Sequence, residues 1–388
     1  MTQDVSIVGV GMTPMDGRHH SPDALACEAV EGALADAGLS PGDVGLVVAA
    51  NALGARLCDQ GCIRGQSWLR RAGLGSAGVV NVDNSCAGGS SALHVGLLGA
   101  RGGQSPVLVV GVEKMWTGSR DQTIAGIEDG LPADERAQLR AGLEPGAPSV
   151  LMSLNARWVR QQLGERGTTL HEIAATAVKA RRCAGRNPLA QFRAPVTVEE
   201  VLGAPVVSGD LTRLMCSSFT DGAAAVVLAA GAVPGAPRVR ASVLRSGNGD
   251  LEYHDRLDAT AQEAWKEAGL GPSDVDVVEL HDATSAEELY ALEALGFYPA
   301  GAAGAATAAG ETDLGGGGVC VNPSGGLVAR GHPLAATGLC QIAELVLQLR
   351  GEAGARQRPG ARVGVAVNTG GIVSGDAGVV AVHVLQGA

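Results

Sequence analysis

Two stretches of the chain carry the same twelve-residue pattern. Ala33-Leu34-Ala35-Asp36-Ala37-Gly38-Leu39-Ser40-Pro41-Gly42-Asp43-Val44 is matched by Ala264-Trp265-Lys266-Glu267-Ala268-Gly269-Leu270-Gly271-Pro272-Ser273-Asp274-Val275. Each copy reads as a helix end, a glycine that closes it, a proline turn and the start of an apolar strand. The strands end at polar residues, Asn51 in one and His281-Asp282 in the other. A second echo follows in the same order. Ala92 to Gly102 reads as a helix leading into the strand Val107 to Val110, and Gln341 to Gly351 as a helix leading into Val363 to Val367. Common helix-to-strand chemistry accounts for one match. Two in order point to a duplicated α/β unit, with a period too long for a solenoid.

The local signals agree. Ser6 to Val10 reads as a buried strand. Ser21 caps a helix with Pro22 in its first turn and Gly38 at its end. Asp43 to Asn51 reads as the next strand. The halves are expected at 1–115 with a return at 205–245, and at 246–388. Between them, 116–204 reads as an insertion. Met115 to Pro148 is polar and glycine-rich and is expected to be irregular, whereas Val150 to Leu163 and Thr169 to Ala180 read as amphipathic helices. The insertion carries a basic cluster, Lys179, Arg181, Arg182, Arg186 and Arg193. Such a run is either a solvated helix end or a seat for a phosphate-bearing ligand.

Composition narrows the function. The 388 residues carry a net charge of −11, which argues against a nucleic-acid binder. Met1 to Asp4 carry no positive charge and Val5 to Val10 is a short apolar run, so neither a secretory leader nor a membrane span is expected. The cysteines, Cys27, Cys58, Cys62, Cys86, Cys183, Cys216, Cys320 and Cys340, are scattered, so a reduced cytoplasmic protein is expected. Cys58 and Cys62 lack neighbouring ligands, and no metal site is expected.

Four segments could carry chemistry. In Asn84-Ser85-Cys86-Ala87-Gly88-Gly89-Ser90-Ser91 a strand turns sharply into a helix beginning at Cys86. A thiol there faces free backbone N–H groups, a sensible setting for a nucleophile rather than mere packing. In Asn322-Pro323-Ser324-Gly325-Gly326 through Gly331-His332-Pro333, a histidine is held in a glycine- and proline-framed loop before a helix, where it could activate a thiol. His281 ends a strand, where open α/β sheets place ligands, though alone it would read as a satisfied histidine. Asn368-Thr369-Gly370-Gly371 reads as a glycine turn able to offer backbone N–H groups to an oxyanion. His19, His20, His94, His171, His254 and His383 read as structural or surface residues, and Asp221 as a turn before a strand.

Taken together these segments resemble the thiolase superfamily, and within it the sterol-carrier-protein-X type. The motifs are Asn84 to Gly89, Asn187-Pro188-Leu189-Ala190-Gln191-Phe192-Arg193, Asp221-Gly222-Ala223-Ala224-Ala225, His281-Asp282, Asn322 to Gly326 and Gly331-His332-Pro333. The resemblance covers nearly the whole chain. It implies two βαβαβαββ halves in a five-layered αβαβα sandwich, an inserted loop domain and a homodimer. It implies that Cys86 accepts an acyl group from acyl-CoA, that His332 activates it, and that His281 replaces the family's catalytic Asn. The backbone amides of Cys86 and Gly370 would form the oxyanion hole. The basic cluster becomes a candidate for the CoA phosphates on charge alone. Coenzyme A enters as a thioester substrate, with no permanent cofactor. A small OB-fold partner is a further expectation of the branch.

One departure is prominent. This branch reads His-Asp-Cys-Phe, its cysteine being the second catalytic thiol. Here Ala283 follows His281-Asp282. Other thiolases keep that thiol in a Cys-x-Gly, and here Asn368-Thr369-Gly370 stands in that place. Losing a general acid/base costs about 10²–10⁴-fold. Acylation of Cys86 is therefore expected to survive, with transfer to an activated carbon or another nucleophile. Ordinary thiolysis with a substitute base, and a partner-dependent or non-catalytic subunit, are the alternatives.

Overall fold

A computed structural model describes residues 4–15, 20–143 and 149–388. His19 and the end of the 115–148 segment lie outside the described residues. Ten strands form the main sheet: β1 (Val5–Met12), β2 (Leu46–Ala50), β3 (Gly78–Val82), β4 (Val107–Glu113), β5 (Gly222–Ala230), β6 (Arg238–Ser246), β7 (Val277–Glu279), β8 (Cys320–Val321), β9 (Val363–Val373) and β10 (Asp376–Gln386). Their order is β8-β7-β9-β10-β6-β1-β5-β4-β2-β3. The halves meet at one antiparallel pair, Ser6 with Arg238.

The duplication is visible in this order. In the first half β2 runs parallel to β3 and β4, and β5 lies antiparallel between β4 and β1. In the second, β7 runs parallel to β8 and β9, and β10 lies antiparallel between β9 and β6. The helices match as well. α1 (Pro22–Ala37) is capped by Ser21 and closed by Gly38 at φ 66°. Its counterpart Tyr253–Ala268 is closed by Gly269 at φ 65°. Only glycine adopts that left-handed conformation at little cost. In the turns that follow, Asp43 accepts the Ser40 N–H and Asp274 the Gly271 N–H, each at 2.8 Å. The repeated letters encode repeated hydrogen bonds.

The remaining helices, in chain order, are α2 (Gly88–Arg101), α3 (Arg120–Ile127), α4 (Ala133–Ala141), α5 (Val150–Glu165), α6 (Leu170–Ala184), α7 (the counterpart Tyr253–Ala268), α8 (Ser285–Ala294) and α9 (Thr337–Arg350). α1 covers the outer face of the first sheet half and α7 that of the second. α2 and α9 pack on each other between the halves, completing five layers. A central helix touches a sheet on each side, so α9 is mostly buried, with Gln341, Glu344 and Gln348 forming a buried polar stripe along it. Glycine permits this approach. A Cβ on Gly89 would sit 2.6 Å from the Ala335 carbonyl oxygen, and one on Gly338 would sit 2.2 Å from Ser90 Oγ.

Two expectations are corrected. The 115–148 segment is not irregular, since it contains α3 and α4. Ser119 caps α3 by accepting the Gln122 N–H, and Asp134 and Glu135 favour the first turn of α4. Gly370 is not in a turn. It lies within β9, paired with Val379, and the hairpin turns at Ser374 and Gly375, both at positive φ.

Candidate active site

The start of each central helix delivers part of one cluster. After β3 the chain passes through Ser85 at φ 50° into a short 3-10 turn, Ser85–Ala87, that holds Cys86 before α2. After β8 it passes through Asn322, at φ 49°, and a loop that places His332 before α9. Left-handed backbone at a non-glycine residue is strained, and each half has one such residue between its strand and its central helix. His281 follows β7. Sγ of Cys86 and ring nitrogens of His281 and His332 all lie within 4.8 Å of one another. The imidazole centroids are 5.2 Å apart, the rings nearly perpendicular.

Thr337 and its neighbours fix the state of His332. Nδ1 of His332 lies 2.7 Å from Thr337 Oγ1, and that hydroxyl donates to the Pro333 carbonyl at 3.1 Å. A hydroxyl has one proton, so Thr337 accepts from Nδ1–H and leaves Nε2 its lone pair. Burial, the nearby His281 charge and Arg330 hold His332 well below its ordinary pKa. Its backbone N–H donates to Thr220 Oγ1 at 3.1 Å. Glu113, at the end of β4, accepts the N–H groups of Leu53, Ala335 and Ala52, tying this loop to the first half.

His281 has a different setting. Burial alone would lower its pKa, but hydrogen bonding to Cys86 and Glu287 and the Glu287 charge raise it to about 10. Nδ1 lies 2.8 Å from Thr369 Oγ1 and 3.5 Å from a Glu287 oxygen. Beside it Asp282 accepts the Leu327 N–H at 2.7 Å, and a Cβ on Gly326 would come within 2.3 Å of the Asp282 carboxylate. The surroundings thus push the two imidazoles beside one thiol in opposite directions. In donor type the trio would also accept a soft divalent cation.

The cluster opens on a cavity of about 710 Å³. Trp116, Trp158, Phe192, Phe219 and Tyr253 line it, in a chain with only four Trp, three Tyr and three Phe. Gly370 also lines it, packed so tightly against the thiol's loop that a Cβ would sit 2.4 Å from the Asn84 carbonyl oxygen. Ala283 lines it too.

The basic cluster does not act as one group. Lys179 is corrected as a CoA-phosphate ligand: it is 1 % exposed, pairs with Glu288 and donates to Thr312. Arg182 is engaged by Asp313. Arg186 and Arg193 are exposed and do not line the cavity, whereas Arg181 does. The sequence reading missed the exposed Arg120 and Arg213 on the cavity wall. It also missed Glu287, which looked like an ordinary acidic residue in a helix's first turn. Cys216, another lining residue, had no signal in sequence. Its chain neighbour Ser217 donates to the Ala283 carbonyl at 2.9 Å.

Comparison with known proteins agrees with this architecture. The model for the thiolase N-terminal domain matches residues 5–232, and that for a thiolase C-terminal domain-like unit matches 245–383. An acetyl-CoA acetyltransferase of Methanothermobacter thermautotrophicus is 37% identical, over 99% of this chain and all of that protein. Sterol carrier protein 2 of Oryctolagus cuniculus is 35% identical, over 94% of this chain and 70% of that protein. A solved structure described as an Ltp2-ChsH2(DUF35) aldolase superposes with a TM-score of 0.81 at 24% identity, covering 99% of this chain and 98% of that one. Fold and relatives together define an acyl-CoA acyltransferase. The chain belongs to the thiolase family, in its sterol-carrier-protein-2 type branch.

Proposed function

We propose that Cys86 takes the acyl group from an acyl-CoA and passes it to a second nucleophile, an activated carbon. The observation that carries this reading is the approach of Cys86 Sγ to both histidines within 4.8 Å at the cavity wall. His332 accepts the thiol proton on Nε2 as the sulfur attacks the thioester carbonyl. The amides of Cys86 and Gly370 receive the developing oxyanion. The C–S bond to coenzyme A then breaks, and the departing thiolate takes the proton back from His332. His281, charged and backed by Glu287, donates to the carbonyl or enolate oxygen of the second substrate. Arg120 and Arg213 meet the CoA phosphates at the mouth, and 116–204 forms the lid over the thioester. Intact-protein mass spectrometry tests the first step. An acyl adduct is expected on wild type and none on Cys86→Ala.

Glu287 also favours a second reading. With His281 it stands beside the empty Ala283 seat, so the pair could replace the missing base in 3-ketoacyl-CoA thiolysis. Robust CoA-dependent thiolysis that disappears in Glu287→Gln would establish that reading. Assembly belongs to the proposal too. The edge strand β3 exposes Val80 and supports pairing with a second copy. The two-protein description of the aldolase neighbour supports a small OB-fold partner, with which a non-catalytic role would also be compatible. Among the described residues no helix is long and apolar enough to cross a membrane.

A further inference from the structure

Arg181 sits in the cavity wall as a buried cation. It is carried by α6 and is 9 % exposed. Its guanidinium stacks over the Phe192 ring at 4.5 Å from the centroid. Among the described residues no carboxylate pairs with it, and its Nε is buried without a hydrogen-bond partner. Its neighbours on the same helix differ. Lys179 is paired with Glu288 and Arg182 with Asp313. Glu287 shares the cavity but is directed to His281. Among the described residues, acids reach the flanking cations and none reaches Arg181. A buried charge is tolerated when an anion reaches it, and the cavity is the open side.

We propose that Arg181 receives a carboxylate carried by the acyl group, so that the preferred thioester is the half-thioester of a dicarboxylic acid. A guanidinium offers parallel N–H donors that fit a carboxylate, and stacking on Phe192 fixes the plane of the fork. The rest of the wall, including Trp158, Leu214 and Ile372, suits an apolar spacer between thioester and acid. A CoA phosphate is the other anion that could meet Arg181. The exposed Arg120 and Arg213 are better placed for it, because a phosphate at the mouth keeps part of its water. This inference rests on the cavity holding the acyl thioester.

Binding to the full-length Cys86→Ala protein separates it from the acyl-transfer reading, because binding requires no adduct. Calorimetry would compare a glutaryl or adipyl thioester with the neutral acyl thioester of equal length, each as the CoA and as the pantetheine form. The carboxylated ligand is expected to bind more tightly. Adding Arg181→Gln should reduce that preference by roughly 10²-fold, equally in CoA and pantetheine forms, and Arg181→Lys should restore part of it. A preference that persists in Arg181→Gln overturns the proposal. So does a loss confined to CoA forms whatever the acyl group, which would assign Arg181 to a phosphate. No preference in the parent protein would overturn it as well. Adduct formation on wild-type Cys86 judges the acyl-transfer reading separately.

Discussion

The loop after β7 and the loop before α9 each place a buried imidazole beside Cys86, and the two rings are in opposite states. The α9 loop holds His332 through the Thr337 hydroxyl, itself committed to a backbone carbonyl. The β7 loop sets His281 against Cys86 and the Glu287 carboxylate, which raise its pKa to about 10 against the effect of burial. Two residues of one type, both buried, are pushed in opposite directions: burial with the His281 and Arg330 charges lowers His332, whereas Cys86 and Glu287 raise His281. The difference teaches that residue identity locates the chemistry and the neighbouring groups assign it.

The contrast can be broken first at His332. His332→Ala should slow Cys86 acylation by about 10³-fold, within the usual range for a general base, read by rapid-quench mass spectrometry. His281→Ala should leave acylation within about tenfold and slow transfer to the second substrate by about 10²-fold. Equal effects of both variants on both steps would remove the division of labour.

Smaller changes sharpen it. Glu287→Gln removes the carboxylate that raises His281, so the alkaline limb of the transfer rate should move to lower pH by about a unit or more. Thr337→Val should leave that limb in place and reduce acylation about tenfold, because the ring loses its tautomer and aim.

Stability should show the same opposition. His332 is held well below its ordinary pKa by burial, and burial lowers His254 and His383 to about 3. Below pH 6.5 the unfolded chain binds protons at these sites that the native protein refuses, so stability is lost as pH falls below 6.5, by up to about 1.4 kcal/mol per unit for each. His281 is raised, so its contribution is fully present below pH 6.5 and is lost as pH rises through about 10. Urea unfolding against pH should therefore flatten on the acid side in His332→Gln and on the alkaline side in His281→Gln.

Much of the fold was legible because repeated letters encode repeated local chemistry. Gly38 and Gly269 close helices at the same φ, and Asp43 and Asp274 close the same turn. Cys86 and His332 were legible because sharp backbone turns need the glycines and prolines that frame them. Glu287 was not, since its meeting with His281 depends on how α8 docks. Nor was the split among Lys179, Arg181 and Arg182. Neighbours on one helix point in different directions, and their roles follow from Glu288, Asp313 and the cavity, which are distant in sequence. Gly370 was placed in a turn because two glycines after an apolar run look alike whether the strand ends or continues.

The central claim is that Cys86 is the acyl-accepting thiol, and intact-mass analysis after brief mixing with acyl-CoA tests it most directly. The account predicts one acyl group per chain on the wild-type protein, mapped by peptide digestion to Cys86, and none on a folded Cys86→Ala variant. An unmodified wild-type protein, or an adduct on Cys216 that survives Cys86→Ala, would contradict it.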